Sequence, residues 1–221
     1  MVWWRESEWS DVSLCQERVM VGRQLVIGTL AATCRLMWGF PPRMIPFIVE
    51  SMGTARGLHW FMVNMPRYLW TLYVLGPVRT HLACVVISLH NGCTYCAFGH
   101  AYALELLYLR DRDHLFPLDA RTIASWLGLE PRLLGARMRG VLEQAGLHVE
   151  AIWVDRILAL ATGEQQPVDA DEVRLARLVP IVGLMNTVAI ANCVEPDEAH
   201  DTINKNTALK ERYTALRAVA G

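Results

Sequence analysis

The sequence has no G-x-x-x-x-G-K loop, no G-x-G-x-x-G fingerprint and no H-E-x-x-H helix. It therefore lacks the marks of a P-loop nucleotide site, a dinucleotide fold and a zinc protease. Charge is also scarce: 19% of residues are charged against 53% hydrophobic, and the net charge is -1. That balance excludes a strongly basic nucleic-acid binder on overall charge. Strand signals are weak, and there is no low-complexity tract or strict short repeat. The expectation is a nearly all-α chain, long enough to bury a sizeable core.

Two further absences bear on location. Met1–Trp9 is rich in tryptophan but interrupted by Arg5, Glu6 and Glu8, with no basic stretch leading into an apolar run. It does not read as a signal peptide, and a cytoplasmic compartment is expected. The most apolar window, Leu178–Val194, is 17 residues long and contains Pro180, Asn186 and Asn192. A spanning helix needs about 20 apolar residues. A buried core or interface helix is expected there, and no membrane partner.

What is present is punctuated helix. A first helix capped by Asp11 or Ser13 is expected to run to Met37, before Gly39 and the Pro41-Pro42 pair. Residues 43–64 read as a glycine-broken or closely packed helical segment. Pro66 is expected to open a helix that Gly76-Pro77 closes. Pro77 then starts a helix from Val78 to Leu89 that is apolar nearly all round, and so central. Further helices are expected from Asp119 to Gly128, from Pro131 to about Gly146 and from His148 to Thr162. Asp169 with Glu172 reads as a capping box for a long helix containing Pro180, and Pro196 as the opening of an amphipathic helix from Asp197 to Val219. The expected divisions are a helical extension (1–64), a core (65–195) and a C-terminal amphipathic helix (196–221). The apolar composition and the tryptophan-rich arm point to a homo-oligomer.

The six cysteines do not read as a disulfide framework, since the chain is large and apolar and carries no export signal. Cys15, Cys34, Cys84 and Cys193 stand in apolar surroundings and read as buried small hydrophobes. Cys93 and Cys96 are different. They fall with His100 in C-x-x-C-x-x-x-H, after the turn His90-Asn91-Gly92. With Asn91 as N-cap, all three would share one face of a helix start, where the dipole supports a thiolate. His100, one turn beyond Cys96, can take its proton. The dipole favours Cys93 as the more acidic sulfur, and the histidine favours Cys96. His81 is a polar exception in an apolar helix and needs a partner. Tyr95 and Phe98 read as core or pocket wall.

The stretch Arg79–Leu104, RTHLACVVISLHNGCTYCAFGHAYAL, resembles the core of the alkylhydroperoxidase D-like branch of the carboxymuconolactone decarboxylase superfamily. A looser likeness extends from about Pro66 to Asn192. The resemblance implies an all-α, alkylhydroperoxidase D-like helical bundle, here with an N-terminal helical extension. It also implies an oligomer that reduces hydroperoxides through a cysteine pair, with no cofactor or metal. By the family pattern Cys96 attacks the peroxide, Cys93 resolves the sulfenic acid and His100 assists deprotonation. As pocket wall, Tyr95 and Phe98 are expected to contact substrate. A dithiol, lipoyl-type or thioredoxin-type partner would restore the thiols. The family places a glutamate twelve positions before the first cysteine, where this chain has His81. A relay rebuilt on His81 and His100 is one expectation, with Glu50, Glu105 and Asp155 as possible carboxylates. Two other readings remain open. One is a lactone decarboxylase or isomerase like the other branch of the superfamily. The other is a metal-binding helical protein using His90, Cys93, Cys96, His100 and His81.

Overall fold

A computed structural model describes the backbone of residues 7–220 and the side chains of residues 20–219. The tryptophans at positions 3, 4 and 9 lie outside the described side chains. The described residues form ten α-helices and one 3-10 turn, with no strand. The helices are α1 (Ser7–Trp38), α2 (Ile45–Met52), α3 (Thr54–Leu75), α4 (Pro77–His90), α5 (Thr94–Arg112) and α6 (Ala120–Ala124). They continue with α7 (Pro131–Gln144), α8 (His148–Thr162), α9 (Ala170–Ala191), a 3-10 turn (Thr202–Lys205) and α10 (Thr207–Ala220). The chain is all-α, as its composition and periodicity require.

The central helix is α4. Every residue from Thr80 to Leu89 is buried, and α3, α5, α7, α8 and α9 pack around it. Leu82, Val85, Val86, Ile87 and Leu89 are at most 1% exposed, and burying each such side chain stabilises the fold by roughly 1.5–3 kcal/mol. By length and composition α9 is the one described helix able to cross a membrane. Here it packs on α2, α3, α4, α5 and α8, and its buried Asn186 is hydrogen-bonded.

Several boundaries depart from the sequence expectation. Asp11 and Ser13 lie inside α1, not at its cap. Pro66 does not open a helix but lies within α3, so the expected 64/65 division falls inside a continuous helix. Its missing N–H leaves the carbonyl of Met62 without a donor, but Met62 is exposed and water can replace it. The side chain of Asn64 donates to the Trp60 carbonyl nearby. At α9, Asp169 accepts from the amides of Asp171 and Glu172 as expected. Glu172, however, reaches back to the amide of Val168 and pairs with Arg156, so the capping box is not reciprocal.

The largest departure follows Pro196. Residues 194–201 are irregular, and helix begins only with the short 3-10 turn and α10. Asp201 caps the turn by accepting from the Ile203 amide. The irregular stretch carries Asp197, His200 and Asp201 into the interior, where all three side chains are at most 8% exposed.

Candidate active site

The cysteine turn is built by the end of α4. Cys93 N–H bonds the Ser88 carbonyl (2.8 Å) and Gly92 N–H that of Leu89 (3.1 Å), a closure that needs the left-handed backbone of Gly92 (φ 78°). Asn91 is the C-cap of α4, not the N-cap of α5; its side chain donates to Asn186 Oδ1 at 2.9 Å. Asn186 in turn donates to Ser88 Oγ at 3.1 Å, fastening α9 to the turn. The N-cap of α5 is Cys93 itself, whose Sγ accepts from Cys96 N–H at 3.5 Å.

This geometry separates the two thiols. Cys93 is brought down to about 7, first by hydrogen bonding with the Cys96 thiol, then by the Cys96 amide, Asn186 and the Tyr95 amide, against the cost of burial. Cys96 moves the other way, held well above its ordinary value by the neighbouring Cys93 sulfur and by complete burial. The pair thus supports one negative charge, on the sulfur at the helix end. Cys93 also lines a cleft of about 260 Å³ with Gly92, Thr94, Ile190, Cys193 and Glu195.

His100 is not bonded to Cys96 among the described contacts. Its Nδ1 lies 3.0 Å from Nδ1 of His81, and His81 Nε2 lies 3.0 Å from Asp201 Oδ2. Burial would raise the Asp201 carboxyl, but His81, the Ile203 amide and the Thr202 hydroxyl hold it below its ordinary value, so it accepts. The ionised Asp201 makes His81 Nε2–H the donor in their contact, and one proton lies between the facing Nδ1 atoms of His81 and His100. Burial first, then His200 and His81, depress the His100 pKa well below the usual value, which keeps that ring neutral.

A second chain runs beside the first. Tyr95 donates to Asp197 Oδ2 at 2.9 Å, and His200 Nε2 lies 3.3 Å from Asp197 Oδ1. Burial opposes ionisation of Asp197, but His200 and the amides of Arg43 and Glu198 outweigh it. The His200 ring stacks on Trp38 and Phe40 and meets His100 edge-on at 5.2 Å. It fits because position 99 is glycine: a Cβ there would stand 2.5 Å from the ring. His200 N–H also bonds the Gly99 carbonyl.

Two small chambers of about 30 and 20 Å³ adjoin this network and share Trp38, Trp60, Met65, Met185 and His200. The first is lined also by Tyr95, the second by Tyr68 and His100. Tyr68 is 5% exposed and its hydroxyl has no partner among the described residues. Burial raises its pKa well above the ordinary value, so it remains a donor.

The structure thus joins Cys93 to Cys96 and His81 to His100, and sets Tyr95 beside the cysteines and the His200 ring. Phe98 is placed elsewhere, on a separate cleft with Tyr102, Arg121 and Lys210. The other carboxylates considered are engaged at a distance: Glu50 with Arg23, Glu105 with Arg217 and Tyr213, Asp155 with Arg139. Cys34 and Cys84 are buried as expected; Cys193 is exposed, contrary to expectation. Sequence reasoning missed Asp197, His200 and Asp201 because 197–201 read as surface helix. The signals available were the glycine before His100 and the adjacent His200-Asp201 pair. No three His, Cys, Asp or Glu side chains among the described residues form a metal site. No family model, curated protein or solved structure matches the chain.

Proposed function

We propose that this protein is a thiol-dependent oxidoreductase that reduces hydroperoxides through Cys93 and Cys96. This is the activity of the alkylhydroperoxidase D-like proteins that residues 79–104 resemble, and we extend the proposal to their helical bundle. The observation that carries it is the geometry of the pair: Cys93 Sγ is the N-cap of α5 and accepts from Cys96 N–H at 3.5 Å, an arrangement that lowers the Cys93 pKa while burial beside it raises that of Cys96. The Cys93 thiolate attacks the distal peroxide oxygen and the O–O bond breaks. The alkoxide takes a proton and leaves as alcohol. The Cys96 sulfur then displaces hydroxide from the sulfenic acid, closing the disulfide with loss of water. An external dithiol returns two electrons and two protons. This order reverses the family pattern, in which the second cysteine attacks, because the supported charge lies on Cys93.

The family glutamate is replaced, in this reading, by the chain Asp201–His81–His100, whose two 3.0 Å contacts hold His100 one turn beyond Cys96 on α5 without a carboxylate on α4. Rapid mixing of the reduced protein with cumene hydroperoxide and hydrogen peroxide tests the proposal. A Cys93–Cys96 disulfide should form, Cys96→Ser should still be oxidised at Cys93 but without that disulfide, and Cys93→Ser should be inert. Thiols that ignore both peroxides would refute it.

A second reading rests on the Tyr68 hydroxyl, without a partner among the described residues, and neutral His100 lining one apolar chamber. That chamber, about 20 Å³, takes little more than a water, so it would have to open around a small apolar substrate for proton transfer of the lactone decarboxylase or isomerase kind. Turnover that survives in Cys93→Ser/Cys96→Ser but fails in Tyr68→Phe would favour it. A homo-oligomer is also part of the proposal, supported by Met62, Trp70 and Tyr73 exposed on α3. A monomer at micromolar concentration by light scattering would oppose it.

A further inference from the structure

We infer that Cys193 is a third redox thiol, which carries oxidation from the buried Cys93–Cys96 pair to the surface. The inference rests on the disulfide chemistry proposed above. Cys93 and Cys96 are 1% and 0% exposed, so a disulfide between them offers an external dithiol little sulfur to attack. Among the described residues the exposed free cysteine is Cys193, and it lines the same cleft as Cys93.

The end of α9 shapes that placement. Val194 N–H bonds the Ala189 carbonyl and Cys193 N–H that of Ile190, the closure that glycine usually completes in left-handed conformation. Here the residue is cysteine with φ 48°, which a side chain rarely adopts. The hydrogen bonds of Asn186 to Ser88 and from Asn91, two turns earlier on α9, fasten this helix end to the cysteine turn.

The exchange balances. The Cys193 thiolate attacks Cys93 Sγ, the Cys93–Cys96 bond breaks, and the Cys96 sulfur leaves and takes a proton. The new Cys93–Cys193 disulfide lies on the open cleft. One thiol of an external dithiol then attacks Cys193, releasing Cys93, and its second thiol closes the reductant's own disulfide.

The test traps the exchange partner. Cys96→Ser, oxidised with diamide and mapped by peptide mass spectrometry, should yield a Cys93–Cys193 disulfide within one chain. In the chain with Cys96 intact, diamide-formed Cys93–Cys96 disulfide should be reduced by dithiothreitol about tenfold more slowly in Cys193→Ser and Cys193→Gly. The glycine variant suits the left-handed backbone, so a slow rate in both is not a folding defect. Absence of the trapped disulfide, or unchanged reduction in both variants, overturns the inference. Because diamide replaces peroxide, these results are independent of whether the protein reacts with hydroperoxides; failure of that reaction alone would refute the proposed activity.

Discussion

Cys93 combines three aids to ionisation in one residue: a helix end, an amide N–H and a neighbouring thiol donor. Alkylation of Cys93 by iodoacetamide should therefore be half-maximal near pH 7 when followed by mass spectrometry across pH. Removing the strongest donor with Cys96→Ala should move that midpoint up by about one unit. An unmoved midpoint would locate the acidity elsewhere. The same scale explains Gly99, where an added methyl meets the His200 ring at 2.5 Å. Gly99→Ala should cost about 1–3 kcal/mol in urea unfolding, a close-packed clash that helix propensity would otherwise reward. At this scale the sequence was readable where partners are close along the chain. Cys93 and Cys96 are such a pair. His81 was visibly in need of a partner, but Asp201 lies 120 positions away and no local pattern announces it.

Among the elements, α4 and the helices from α7 to α9 were legible because glycine, proline and capping residues mark their ends, while α6 begins after Asp119 as expected but stops at Ala124, short of Gly128. Asp119, Pro131 and Gly163 act where local chemistry places them. The stretch 194–201 was not legible: its spacing of charged and apolar residues fits an amphipathic helix, but its carboxylates and histidine turn inward. Tertiary hydrogen bonds from Tyr95, Arg43 and His81 outweighed the local pattern there. Asp201 consequently acts as a positioning residue for His81 and, through it, for His100. In Asp201→Asn the side chain keeps its size but loses its charge, so His81 no longer has a fixed donor role. Disulfide closure driven by peroxide should slow by about tenfold or more and its pH profile should shift, while alkylation of Cys93 keeps its midpoint. A purely structural role would leave the profile in place.

For the whole molecule, burial of neutral His100 sets a direction for stability against pH. Its folded pKa lies well below 6.5, so under mild acid the unfolded chain binds the proton and the folded chain does not. Its contribution is complete above about pH 6.5 and declines as pH falls, with a slope of at most about 1.4 kcal/mol per pH unit. Asp197 and Asp201, held below their ordinary 3.8, should be lost only under stronger acid. Urea unfolding between pH 7 and 5 should show the decline, and His100→Phe should flatten it. A stability that rises on acidification through that range would contradict the buried neutral ring.

The most direct test of the whole account is intact and peptide mass spectrometry of the reduced protein after addition of one equivalent of cumene hydroperoxide. Rapid loss of two protons per chain is expected, assigned to a Cys93–Cys96 disulfide, with Cys34 and Cys84 still reduced. Unchanged mass, or oxidation spread over all cysteines without that disulfide, would contradict it.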